Sequence, residues 1–122
     1  MGLIPYTDSI SDFMHSQRRN LWVREPDLHL DCYMRRSERG LDRGELTPCL
    51  DIGSVEVDSD HWGRGNFTKF LALVEKAAAS EKRAVFIENI QHPWLANALR
   101  RRGYADTVTS VPELPSLYRK SQ

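Results

Sequence analysis

The stretch VEVDSDHWGRGNFTKFL, Val55 to Leu71, limits the fold more than any other part of the chain. An apolar run ends at Asp58, and Gly63, Arg64 and Gly65 follow. From Phe67 the period changes. Phe67, Phe70, Leu71, Val74, Ala77 and Ala78 fall on one helical stripe, with Lys69, Lys76 and Ser80 opposite. A second apolar run, AVFIENI from Ala84 to Ile90, comes next. Strand, glycine loop, helix and strand in this order imply parallel strands joined by a crossover. A strand feeding a helix through glycines also exposes the helix's first N–H groups, at the positive end of its dipole. Such an end suits an anion, usually a phosphate. Gly63 and Gly65 allow close backbone approach, Arg64 adds charge, and the N–H groups of Arg64, Gly65, Asn66 and Phe67 are the expected donors. An ordinary turn accounts for Gly-x-Gly equally well. No Gly-Lys-Ser/Thr and no third glycine at the dinucleotide spacing are present.

The rest of the chain fills in around this unit. Thr7 or Ser9 caps a helix expected to run to about Arg19, with Ile10, Phe13 and Met14 on one side. Asn20 to Asp27 reads as a connection. Leu28 to Arg36 alternates, with Leu28, Leu30, Cys32 and Met34 on one face, and reads as a half-buried strand. Ser37 to Glu45 reads as an exposed hairpin loop. Leu46 to Val57 is the partner strand, with Pro48 at its start because proline cannot donate to a ladder. Gly53 inside it signals a bulge or a close backbone approach. Pro93 opens a further helix whose buried side is expected to be Trp94, Leu95, Ala98 and Leu99, with Gly103 as its stop. Two short strands, near Tyr104–Ser110 and Ser116–Lys120, end the chain. The expected architecture is one domain over residues 1–122, of the α/β (α+β) class. Its sheet is mixed and mostly antiparallel, with a central parallel β-α-β crossover and flanking helices.

Composition narrows the function classes. The formal net charge is zero, so bulk charge gives no reason to bind nucleic acid or a membrane surface. Arg35–Arg36 and Arg100–Arg101–Arg102 read as solvated faces. A nucleic-acid role for the latter would demand a steep salt dependence. No stretch approaches the roughly 18 apolar residues of a membrane span. Met1 to Asp8 lacks the basic start and apolar core of a signal peptide. With two cysteines, Cys32 and Cys49, the expectation is a cytoplasmic protein with reduced thiols. His15, His29, His61 and His92 lie far apart and form no ligand spacing with a cysteine, so no metal is expected.

Val55-Glu56-Val57, five residues, then Gly63-Arg64-Gly65 at a helix start resembles the acetyl-CoA motif of the GNAT superfamily of N-acetyltransferases. Val85 to Tyr104, VFIENIQHPWLANALRRRGY, is similar to that family's next strand, with an asparagine after it (Asn89), a helix, and a closing Gly-aromatic pair (Gly103, Tyr104). The resemblance covers roughly Leu46 to Lys120. It implies that the backbone of Val55 to Val57 pairs with the pantetheine arm. The loop, with Trp62, Gly63, Arg64, Gly65, Asn66 and Phe67, would hold the pyrophosphate of acetyl-CoA as cosubstrate, and Asn89 would lie beside it. It also implies direct acetyl transfer to an amine, with Asp51 or Glu56 as base; Asp58, Asp60 and His61 are further candidates.

The chain departs from the family's pattern. Trp62 replaces a Gln or Arg, and Phe67 a Gly or Ala, although Phe67 also begins the apolar stripe and is expected to point into the core. Leu99 stands where the family often has a tyrosine that protonates the departing thiolate, and leucine cannot donate. The rival expectation is therefore a catalytically inactive protein of this fold that acts through protein contacts. The N-terminal part is short for the family, so a second copy of the chain is an expected partner. The acceptor amine is not legible.

Overall fold

The computed structural model describes residues 6–7, 9–16, 18–42, 44–57, 60 and 65–121, and of the side chains not those of residues 6, 7 and 57. Among these residues seven strands and three helices are found. The strands are β1 (Tyr6–Thr7), β2 (Asn20–Glu25), β3 (Leu30–Arg39), β4 (Thr47–Val57), β5 (Ala84–Ile87), β6 (Ala105–Asp106) and β7 (Leu117–Arg119). The helices are α1 (Ile10–His15), α2 (Asn66–Ser80) and α3 (Pro93–Arg101). One sheet has the order β1-β2-β3-β4-β5-β7-β6. β4 and β5 pair in parallel, with α2 as their crossover, and the pairs from β2 to β4 and from β5 to β6 are antiparallel. This is the mixed, mostly antiparallel sheet with a central crossover that the sequence implied.

The core lies on one face of the sheet. Leu30, Cys32 and Met34 of β3, Leu50 and Ile52 of β4, and Val85 and Ile87 of β5 meet α1, α2 and α3 there. The α2 stripe behaves as its spacing demanded: Phe70, Leu71, Val74 and Ala78 are buried, and Phe67 and Ala77 pack at the margin. On the opposite face Leu41, Cys49, Ala84 and Phe86 form a smaller cluster, with Tyr118 against it and no helical residue in it. The helices thus share one core and do not flank the sheet on both sides.

Several expectations are corrected. Asn20 to Glu25 is not a connection but β2, whose Leu21 and Val23 alternate into the core against β3. The first helix stops at His15, well before Arg19, with Ser9 as its N-cap accepting from the Asp12 N–H. β3 begins at Leu30 and runs to Arg39, because Pro26–Leu28 form a 3-10 turn and His29 takes a left-handed conformation with φ 52. Trp94 is not on the buried side of α3. Ala96 and Leu99 are buried, and Trp94 is 67% exposed.

Gly53 is a bulge. Tyr33 pairs with Ser54 and Met34 with Ile52, so Gly53 has no counterpart on β3. A Cβ there would stand 3.1 Å from Tyr33 Cδ2 and 3.4 Å from Glu88 Oε1. Gly53→Val is expected to lose about 1–3 kcal/mol of unfolding free energy by overpacking, read from urea denaturation.

α2 is tied to the end of the chain through Glu75. Its carboxylate accepts from Arg102 at 2.9 and 2.7 Å, from the Tyr104 hydroxyl at 2.8 Å and from Arg119 at 3.1 Å. Burial pushes this carboxyl up, but these hydrogen bonds and charges outweigh burial and hold it below its ordinary range. A folded-state value below the unfolded one stabilises the protein above the unfolded carboxyl range and is lost as pH falls through the folded value. Wild type should therefore lose stability steeply below about pH 4.3. In Glu75→Gln the loss between pH 6 and pH 3, read from urea midpoints, should be smaller.

Candidate functional site

β4 is bonded to β3 along its whole length, from Thr47 to Val57. To β5 it is bonded only from Cys49 to Ile52, and the last link, from the Glu88 N–H to the Ile52 carbonyl, is stretched to 3.5 Å. Beyond it the strands part. The segment Gly53 to Val57 thus has a bare edge toward β5 among the described residues. Such an edge can accept an extended ligand as an added strand. Val55 is half-buried against the core, so its backbone and not its side chain is what the edge offers.

α2 starts beside this opening. Gly65 is its N-cap, in the left-handed region at φ 74, and as a glycine it has no side chain with which to cap the first turn. The first intrahelical bond is from the Lys69 N–H to the Gly65 carbonyl, so the N–H groups ahead of it have no partner within the helix. Phe67 packs against the core, as its place in the stripe implied, and its ring does not block the turn. Trp62, Gly63, Arg64, His61 and Asp58 lie outside the described residues. Asn89, at the end of β5, is left-handed with φ 53, a conformation that asparagine tolerates better than most residues. Its N–H is taken by Ser116 Oγ at 3.0 Å.

The two candidate bases have opposite surroundings. Asp51 is fully buried on the sheet face away from the helices. Its carboxylate accepts from Arg35 Nε at 3.0 Å, from Arg39 Nη2 at 2.7 Å and from Ser37 Oγ at 2.7 Å. Two guanidinium groups and a hydroxyl thus converge on a carboxylate with no solvent exposure. Glu56 lies on the same face, exposed, on the free segment of β4 and opposite Asp31 of β3.

Glu88, just past β5, was not singled out in the sequence. Arg35 Nη2 donates to it at 2.6 Å, and it stands against Gly53 where the strands part. A charge directly after the four-residue apolar strand was its one sequence signal. Both thiols are buried, and burial pushes Cys32 far up and Cys49 up to about 11. Leu99 is a core residue. Tyr104 is buried with its hydroxyl on Glu75, and burial followed by that bond raises it well beyond its ordinary value. Arg100 pairs with Asp106 and Arg102 with Glu75. No cluster able to hold a metal occurs among the described residues, and none of their helices is long and apolar enough to cross a membrane.

No family model matches the chain, and no curated protein matches its sequence. Solved structures match its fold. A variant of the AtaT toxin, bound to the C-terminus of the antitoxin AtaR and to acetyl-CoA, aligns with a TM-score of 0.56 at 14% identity, over 75% of this chain and 58% of that one. A KacTA–DNA complex gives 0.56 at 18% identity, over 75% and 58%. Nourseothricin acetyltransferase gives 0.54 at 13% identity, over 77% and 58%. The chain has the fold of the GNAT acyltransferases. It spans 58% of the length of each of these structures.

Asp51 and Glu56 should separate on substitution. Asp51→Asn removes a buried partner of two guanidinium groups and should cost about 3 kcal/mol in urea unfolding. Glu56→Gln should stay within about 0.5 kcal/mol of wild type.

Proposed function

We propose that the chain binds acetyl-CoA in the opening between β4 and β5 and transfers the acetyl group directly to an amine. The observation that carries this reading is the edge of β4 from Gly53 to Val57, which is not paired with β5 among the described residues. The pantetheine amides would pair with Val55 and Val57, and the thioester carbonyl would be aligned by the same backbone. The pyrophosphate would sit on Gly63, Arg64, Gly65, Asn66 and Phe67, with Trp62 and Asn89 beside it. Glu56 would take the proton of the acceptor ammonium, directly or through water, so that the neutral amine attacks the thioester carbon. The C–S bond then breaks and the coenzyme thiolate takes its proton from water, since Leu99 has none to give. Asp51 would act only by holding Arg35 and Arg39.

A second reading is a protein of this fold that binds its ligand or a protein partner without catalysis. The burial of Leu99 and the engagement of Tyr104 by Glu75 favour it.

Calorimetric titration with acetyl-CoA tests the first step. One-site binding by wild type that is lost in Arg64→Glu supports the site, and no binding at millimolar acetyl-CoA overturns it. An acetylation assay over a broad amine panel then separates the two readings. In an enzyme, Glu56→Gln should lower kcat/KM by about 10²–10⁴ with the acetyl-CoA Kd unchanged. Binding with no transfer to any amine supports the second reading.

A further inference from the structure

The opening between β4 and β5 ends where the two strands meet, and that end is closed on both faces of the sheet. On the helix face Ile52, Ile87 and Ile90 are buried in the main core. On the other face Tyr33 and Glu88 crowd over Gly53. A Cβ on residue 53 would stand 3.1 Å from Tyr33 Cδ2 and 3.4 Å from Glu88 Oε1. The space there does not take one methyl group without displacing a neighbour.

Both side chains are braced. Arg35 Nη2 donates to Glu88 Oε1 at 2.6 Å, and Arg35 Nε donates to the fully buried Asp51 at 3.0 Å. The same guanidinium lies 5.7 Å from the centre of the Tyr33 ring. Tyr33 in turn packs on Trp22 of β2, with ring centroids 5.6 Å apart. Moving Glu88 aside would break a charge-assisted hydrogen bond, and moving Tyr33 would part it from Trp22.

The direction of a bound coenzyme follows from the crossover. α2 returns the chain from the end of β4 to the beginning of its parallel neighbour β5, so its start lies at the Val57 end of the bare edge. A coenzyme with its pyrophosphate there and its arm along β4 runs from Val57 toward Gly53. Its acyl group, at the far end of the arm, arrives at the closed end of the opening.

Resting on the acyl-CoA reading above, we propose that Glu88 and Tyr33, braced by Arg35, are specificity-determining residues that limit the transferred acyl group to acetyl. In the plane of the sheet a longer chain meets the paired backbones of Ile52 and Ile87. Turned toward the helices it meets packed core. Turned the other way it meets Glu88 and Tyr33, and it would strip water from a half-buried ion pair.

The test is calorimetry with acetyl-CoA and butyryl-CoA on wild type, Glu88→Ala, Glu88→Gln and Tyr33→Leu. Asp51 still holds Arg35 when Glu88 is replaced, so the Glu88 variants should fold, which urea midpoints check. Wild type should bind acetyl-CoA about tenfold or more tighter than butyryl-CoA, since one methylene is worth about 10–200-fold in a fitted pocket. Glu88→Ala should bring the two affinities together by tightening butyryl-CoA, and Tyr33→Leu should act in the same direction. Glu88→Gln, nearly the same size, should keep the ratio. A Glu88 that served the fold alone would weaken both ligands alike and leave the ratio unchanged. Wild type that binds both equally, or a ratio that neither Glu88→Ala nor Tyr33→Leu moves, overturns the wall and leaves the acyl-CoA reading standing. Wild type that binds neither ligand overturns that reading and the wall with it.

Discussion

The divergence of β4 from β5 is the constraint on which the site depends. Two parallel strands with apolar inner faces would ordinarily pair to their ends, since a bare edge leaves backbone groups unsatisfied. Here pairing stops at Ile52 and Ile87. The extra residue at Gly53 bends and twists β4 at that point, while β3 follows it without a break in pairing on either side. Glu88, held by Arg35, fills the angle of the opening where a side chain on residue 53 would stand. Arg35 in turn is held by Asp51, which also binds Arg39. The buried carboxylate thus acts on the opening at one remove. It fixes the guanidinium that fixes Glu88.

That chain of contacts explains what was legible in the sequence and what was not. The helix α2, the parallel crossover and the bulge at Gly53 were legible because each depends on local spacing: a 3.6-residue stripe, an uninterrupted apolar run, a glycine inside a strand. β2 was missed because Leu21 and Val23 are only two core residues, in a segment ended by a proline. Its strand character comes from pairing with β3. Trp94 was placed inward because its neighbours Leu95 and Leu99 are apolar. Their arc on α3 is narrower than the sequence suggested, and Trp94 lies beyond it. The role of Asp51 was illegible for a different reason. Arg35, Ser37 and Arg39 alternate along β3, which puts all three on the face that Asp51 shares, but only the register of the hairpin brings them to it. A carboxylate before a cofactor strand reads alike whether it is a base or an anchor until its donors are known.

The same distinction governs the chemistry available at the opening. Leu99, at the position where the resembled family often has a tyrosine, is part of the core. The nearest hydroxyl, that of Tyr104, is spent on Glu75. Both facts have one cause. α3 is short, nine residues, and its buried arc is used to seat it on the sheet. Tyr104 then closes the arc by joining α2 through Glu75, together with Arg102 and Arg119. Residues that could have served proton transfer are consumed in attaching a short helix. A chain of this size has little core to spare for polar groups that do not also hold the fold. Of the two candidate bases, Glu56 is the exposed one, on the sheet face that carries no helix.

This division of labour also bears on how such a protein could hold a highly charged cofactor. Several of its guanidinium groups are committed: Arg35 and Arg39 to Asp51, Arg36 and Arg83 to Glu81, Arg100 to Asp106, Arg102 and Arg119 to Glu75. Guanidinium groups used in this way add stability and no long-range field. In the proposed site the anion would rest on backbone donors at a helix start, whose polarity costs the fold nothing. The first turn of α2, begun by a glycine, is a feature of that kind. Phe67 of that turn packs against the core. Backbone contacts of this kind would leave in place the ion pairs that hold the fold.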